Sequence, residues 1–173
     1  QTYRNRMYIY GANGKLSLNI PIRHTGDKSQ HQKYKDVRIE NEFNWQKQHW
    51  KSLQIAYRTS PFFEYYEDDL QPLYEKEFKF LLDLNYKCMD LLADCLQLDL
   101  KAEKTEEYIL EPASPIFDRR GLVNAKIESD ISLEPYSQVF DAKFGFLKDL
   151  CILDLLFNEG PGSQSYLKRQ KQD

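Results

Sequence analysis

Between Asn44 and Pro61 apolar side chains recur at Trp45, at His49 or Trp50, at Leu53 and at Ala56 or Tyr57. This is the three-to-four-residue spacing of a single buried helix face. Asn44 is a fitting N-cap and Pro61 a fitting stop, so the spacing predicts a helix from Trp45 to about Ser60. Lys47, Lys51 and Arg58 project from one side of it, and Trp45, His49, Leu53 and Ala56 from another. Such a helix has to bury its aromatic face against other elements.

The neighbouring sequence supplies candidates. Met7–Tyr10 and Leu16–Ile22 are β-type runs, the second alternating with period two, and the Asn13-Gly14 turn signal between them predicts a β-hairpin. Residues 23–35 read as a polar surface loop, and Val37–Ile39 as a short strand. Phe62–Tyr66 is a short aromatic segment. Asp68-Asp69 is placed to cap a helix from Leu70 to about Phe80, and Asp83 or Asn85 to start another running through Leu96. Prolines 112, 115 and 135 leave room only for short strands, at Tyr108–Leu110 and Ser137–Phe140. A helix over Leu150–Asn158 ends at Gly160-Pro161-Gly162, and Ser163 caps a last helix with a basic final turn. Together these predict an α+β domain, or alternatively α/β, with a short N-terminal hairpin and small sheet packed on four to five helices. Its 173 residues fit one domain.

Charge and cysteines narrow the function classes. Residues 1–60 hold 11 Lys and Arg against 4 Asp and Glu, while the remainder holds 13 against 23. The first third therefore carries about +7 and the rest about −10, which suits either an anion-binding half or mutual neutralisation across the fold. The basic part lacks the signatures of a nucleic-acid binder, so no nucleic-acid partner is expected. No run approaches the ~20 apolar residues of a membrane span. Cys88, Cys95 and Cys151 are an odd number without a CxxC. Cys88 and Cys95 would lie about 10 Å apart along a helix, so they read as buried thiols in a reducing compartment. His24, His31 and His49 do not pair at ligand spacing, so no metal site is expected. Walker, GxGxxG, GxSxG and HExxH patterns are absent, and no cofactor is expected.

Two residues could carry proton chemistry. His49 titrates near neutrality when unperturbed, and is either a general acid or base or a packed face histidine. Asp154 lies among leucines and is either exposed or a paired, functional carboxylate. Arg4, Arg6, Lys51 and Arg58 could grip an anionic ligand such as a sugar nucleotide, with aromatic residues stacking on its base or sugar. The alternative is an ordinary amphipathic helix with a solvated basic stripe. Asn158 and Glu159 serve either that ligand or the helix end.

The runs Gln1-Thr-Tyr-Arg-Asn-Arg6, NWQKQHWKSLQIAYRTSPFFEYY (Asn44–Tyr66) and FGFLKDLCILDLLFNEGP (Phe144–Pro161) together resemble the WbqC-like protein family. The resemblance implies a cytoplasmic role in bacterial O-antigen or other surface-polysaccharide biosynthesis, as a transferase acting on a sugar nucleotide or as a non-catalytic binding or scaffold protein. It implies a further N-terminal strand and helix with a Tyr-Leu-Pro-type motif, which this chain is expected to lack. Its motif positions include Arg4, Asn5, Arg6, Trp45, His49, Trp50, Tyr57, Arg58, Pro61, Tyr65, Tyr66, Asp154, Asn158 and Gly160. On this reading His49 and Asp154 are the catalytic candidates, and Arg4, Arg6, Lys51, Arg58, Tyr65 and Asn158 the ligand contacts.

Overall fold

The computed structural model describes residues 2–24, 32–127 and 132–170; residues 25–31 of the polar loop, His31 among them, lie outside them. Strands β1 (Arg6–Gly11) and β2 (Gly14–Asn19) pair antiparallel, with Gly11 opposite Gly14 and Arg6 opposite Asn19. The hairpin turns on Ala12-Asn13, and the positive φ of 98° falls on Gly14, a conformation open to glycine.

Helix α1 (Trp45–Tyr57) buries Trp45, His49, Leu53, Ala56 and Tyr57 and leaves Lys47, Lys51 and Arg58 exposed. Asn44 occupies the N-cap position but makes no side-chain cap. Helices α2 (Phe63–Leu70), α3 (Pro72–Glu75) and α4 (Leu81–Cys95) follow. After a long irregular stretch come α5 (Asp141–Phe144), α6 (Ile152–Glu159) and α7 (Ser163–Arg169). The hairpin packs on α1 and α6, α2 packs on α4 and α6, and α3 closes against α1. Aromatic contacts fill the junction, with Phe157 against Tyr57 and Phe63 and Trp50 stacked on Tyr74. The class is α+β. The sheet among the described residues is purely antiparallel, which removes the α/β alternative.

Several expected elements differ. The Phe62–Tyr66 segment is helical, and Asp68-Asp69 lie inside α2 on its exposed face. Phe63, Tyr66 and Leu70 provide the buried stripe that extends this helix backward past the acidic pair. Pro72 then opens α3 at its first position. Helix α4 begins at Leu81, ahead of Asp83, because Phe80 is held extended against Arg38 and the Leu81 N–H donates to Val37 O at 3.0 Å. Val37–Ile39 accordingly makes isolated bridges to Ile22 and Phe80 and no strand. Tyr108–Leu110 and Ser137–Phe140 are not strands either. Tyr108 and Leu110 are exposed. Gln138 pairs with Leu147 through its side-chain amide, donating to Leu147 O at 3.0 Å and accepting from Leu147 N at 2.8 Å, in place of a backbone ladder. Gly160-Pro161-Gly162 forms a 3-10 turn joining α6 to α7. Ser163 is the first residue of α7, its buried hydroxyl donating to Leu155 O.

Gly160 has φ +50°, and a Cβ there would sit 2.5 Å from the Phe62 ring. The Phe62 N–H also donates to Phe157 O at 3.0 Å, which fixes that ring's backbone. Gly160→Ala should therefore destabilise the fold by about 2–4 kcal/mol through clash and strain, read as a lowered urea midpoint.

Candidate functional site

The hairpin register creates the first polar junction. Arg6 opens β1, and its Nε donates to Oδ1 of its cross-strand partner Asn19 at 2.6 Å. The backbone oxygen of the same Asn19 lies 3.1 Å from Nε2 of His49 on α1. Asn19 thus joins Arg6 and His49. A carbonyl can only accept, so Nε2 of the neutral ring carries the proton and Nδ1 is the acceptor nitrogen. Burial disfavours the imidazolium and lowers the pKa of His49 to about 4, the bond to Asn19 opposing this in part. The ring is neutral at physiological pH.

Arg4, Arg6 and His49 line one cavity of about 210 Å³ between the hairpin, α1, α4 and the start of α6. Leu18, Leu70, Leu73 and Leu84 supply much of its wall. The Arg4 guanidinium lies 5.1 Å from the Tyr34 ring centroid, a cation–π contact. Asn85 on α4 donates to Arg4 O at 2.8 Å and also bonds Tyr34 Oη, which fastens the N-terminal residues to α4. Cys88 and Cys151 also face the cavity. Burial pushes their thiols up to about 11 and about 12, respectively, so both are neutral and poor nucleophiles at pH 7.

Asp154 belongs to a different junction. It is fully buried on α6. Tyr57 Oη donates to Oδ1 at 2.8 Å, while Tyr136 Oη and Gln138 Nε2 donate to Oδ2 at 2.6 and 2.8 Å. Tyr57 Oη in turn accepts from the Tyr10 N–H at 3.0 Å. Three donors satisfy the carboxylate, with no cation among these partners. Desolvation nevertheless holds its pKa above the ordinary Asp value, the three hydrogen bonds opposing that rise.

The remaining sequence candidates lie elsewhere. Lys51 is on the exposed face of α1. Arg58 is at its C-terminal end, with Nη2 3.5 Å from Glu67. Tyr65 is 73% exposed and edges onto Tyr66. Asn158 donates to Asp154 O at 2.7 Å within α6. None of these four lines the cavity. The geometry therefore joins Arg4, Arg6 and His49 and separates them from Asp154, Lys51, Arg58, Tyr65 and Asn158. Asn19, Asn85, Tyr136 and Gln138 escaped the sequence reading. Asn19 was missed because counting back from an Asn13-Gly14 turn puts Pro21 opposite Arg6, and the observed turn on Ala12-Asn13 shifts that place to Asn19. Among the described residues no group of three or more His, Cys, Asp or Glu could hold a metal ion, and no helix is long and apolar enough to cross a membrane.

The sequence model of the WbqC-like protein family matches residues 1–119. Over 203 residues the chain is 27% identical to the uncharacterized protein Rv1507c of Mycobacterium tuberculosis, an alignment covering 98% of this chain and 83% of that protein. No solved structure matches the chain.

Two outcomes follow from these junctions. Tyr57→Phe removes a donor from Asp154 and leaves the buried Tyr10 N–H without its acceptor, so urea denaturation should show a loss of about 1–3 kcal/mol. For His49, the native state binds its proton more weakly than the unfolded chain. Its stabilising contribution is complete above the unfolded value near 6.5 and is lost as pH falls toward about 4. The loss amounts to about 3 kcal/mol. The stability difference between the wild type and His49→Gln, followed by denaturation across that window, should carry this slope.

Proposed function

The chain belongs to the WbqC-like protein family, and from that premise we propose that residues 1–173 form one domain that binds an anionic sugar precursor, such as a sugar nucleotide, in the cytoplasm for bacterial surface-polysaccharide biosynthesis. The observation carrying this reading is that Arg4, Arg6 and His49 line the same cavity. Two guanidinium groups can present forked N–H donors to phosphate oxygens. Arg4 combines this capacity with a place against the face of Tyr34. Binding comes first in this reading, because the two catalytic candidates occupy separate junctions and Asp154 has all of its oxygens engaged by Tyr57, Tyr136 and Gln138.

A transferase reading rests on one specific feature. With Nε2 directed at Asn19 O, the neutral His49 ring has Nδ1 as a proton acceptor. In that reading His49 accepts a proton from an attacking hydroxyl or amine of the bound sugar. Its low pKa of about 4 makes it a weak base, which favours the binding role.

A thermal-shift screen of sugar nucleotides tests both. A ligand at a hundred times its Kd should stabilise the native state by about 2.7 kcal/mol. Arg4→Gln and Arg6→Gln should abolish the shift, whereas Lys51→Gln and Arg58→Gln should retain it. Equal shifts in all four variants would remove the assignment of the two arginines. His49→Gln that still binds but no longer turns over a ligand processed by the wild type would establish the transferase.

A further inference from the structure

The cavity changes character from rim to floor. At the rim Tyr3 is exposed and Arg4 and Arg6 are half-buried, whereas Leu70, Leu73 and Leu84 at the floor have at most 7% exposure. The side-chain N–H donors of His49 and Asn85 are already engaged. His49 Nε2 is held by Asn19, and the Asn85 amide by Arg4 O and Tyr34. A sugar ring pushed to the floor would lose water without recovering its hydrogen bonds. The volume of about 210 Å³ exceeds the ~150 Å³ of an apolar cavity that accepts benzene. It falls below the ~300 Å³ at which pockets for drug-sized ligands begin. Space and chemistry therefore both suit one compact apolar group, with Arg4 and Arg6 among the less buried residues of the lining.

We infer that the cavity takes an anion bearing a single compact apolar substituent, a short acyl or alkyl chain or one aromatic ring, with that substituent on the leucine floor and the anionic group at Arg4 and Arg6. The inference rests on the reading of those arginines as anion contacts and adds the class of group that the ligand must carry. For a sugar precursor this is an apolar appendage, not the sugar or the base, inserted among the leucines.

The full chain is titrated calorimetrically with inorganic phosphate, phenyl phosphate and butyl phosphate, the two esters distinguishing ring from chain. At least one ester should bind roughly ten- to a hundredfold more tightly than inorganic phosphate, the worth of burying one such side group. Cys88 and Cys151 line the cavity and Cys95 does not. Site-resolved labelling with a small methanethiosulfonate should therefore be slowed at Cys88 and Cys151 by the ester and unchanged at Cys95. Cys88→Phe, which adds a bulky side chain to the cavity lining, should erase the advantage of the ester over phosphate. Equal affinity for phosphate and both esters, or unchanged labelling of Cys88 at saturation, would overturn the inference whether or not that variant folds. Failure of the arginine reading has a different signature: uncharged benzyl alcohol protects Cys88 as well as phenyl phosphate does, and Arg4→Gln and Arg6→Gln leave both unaffected.

Discussion

The carboxylate of Asp154 is the point on which the packing turns. A charge removed from water in the middle of a leucine-rich helix is tolerated only if donors replace its hydration. Here the donors come from separate parts of the chain: Tyr57 from α1, and Tyr136 and Gln138 from the irregular segment before α5. Tyr57 passes the connection on to β1 by accepting the Tyr10 N–H. Four pieces of chain thus meet at one buried group, and each has to be in place for the others to be satisfied. Ser137–Phe140 joins no sheet, since Gln138 spends its amide on Asp154 and Leu147 and Val139-Phe140 turn into α5.

The same helix connects that junction to the cavity. Tyr57 and His49 are eight residues apart, close to two helical turns, so both fall on the buried side of α1. Anchoring Tyr57 at Asp154 sets the rotation of α1 about its axis. His49 is thereby directed toward Asn19, whose side chain holds Arg6. Stability and the candidate site are coupled through one rigid element. The two junctions remain chemically distinct: one is a saturated hydrogen-bond hub, and the other a half-open apolar cavity with cationic residues at its rim.

Family membership takes on a physical meaning against this background. Of the positions that carry the resemblance in sequence, Trp45, Tyr57, Asp154 and Gly160 serve packing, hydrogen-bond satisfaction and a tight helix junction, the last two lying beyond the residues 1–119 that the family model matches. Arg4, Arg6, Trp45 and His49 are the motif positions that reach the cavity, Trp45 serving the core as well. Much of the aromatic signature therefore records how the core is built, and a smaller, N-terminal share records the face presented to a ligand.

The sequence by itself determined the elements whose signals are local. Helical spacing from Trp45 separated a buried face from the side bearing Lys47, Lys51 and Arg58, and glycine-bounded alternation placed the hairpin. It did not fix the pairing of Arg6 with Asn19, because a turn on Asn13-Gly14 would set Arg6 opposite Pro21, whereas the folded hairpin turns on Ala12-Asn13. Tertiary structure decided the rest, since the deciding partners are remote along the chain. The Phe62–Tyr66 segment became helical because Phe63, Tyr66 and Leu70 pack as one stripe, overriding Asp68-Asp69 as a cap. Asp154 was ambiguous in sequence because its three donors lie 16, 18 and 97 residues away. The gathering of Arg4 and Arg6 with His49, and the exclusion of Arg58, depended on which ends of α1 the hairpin and Glu67 meet. Short-range patterns encode faces and turns, whereas a site assembled across long loops is encoded only in the packing.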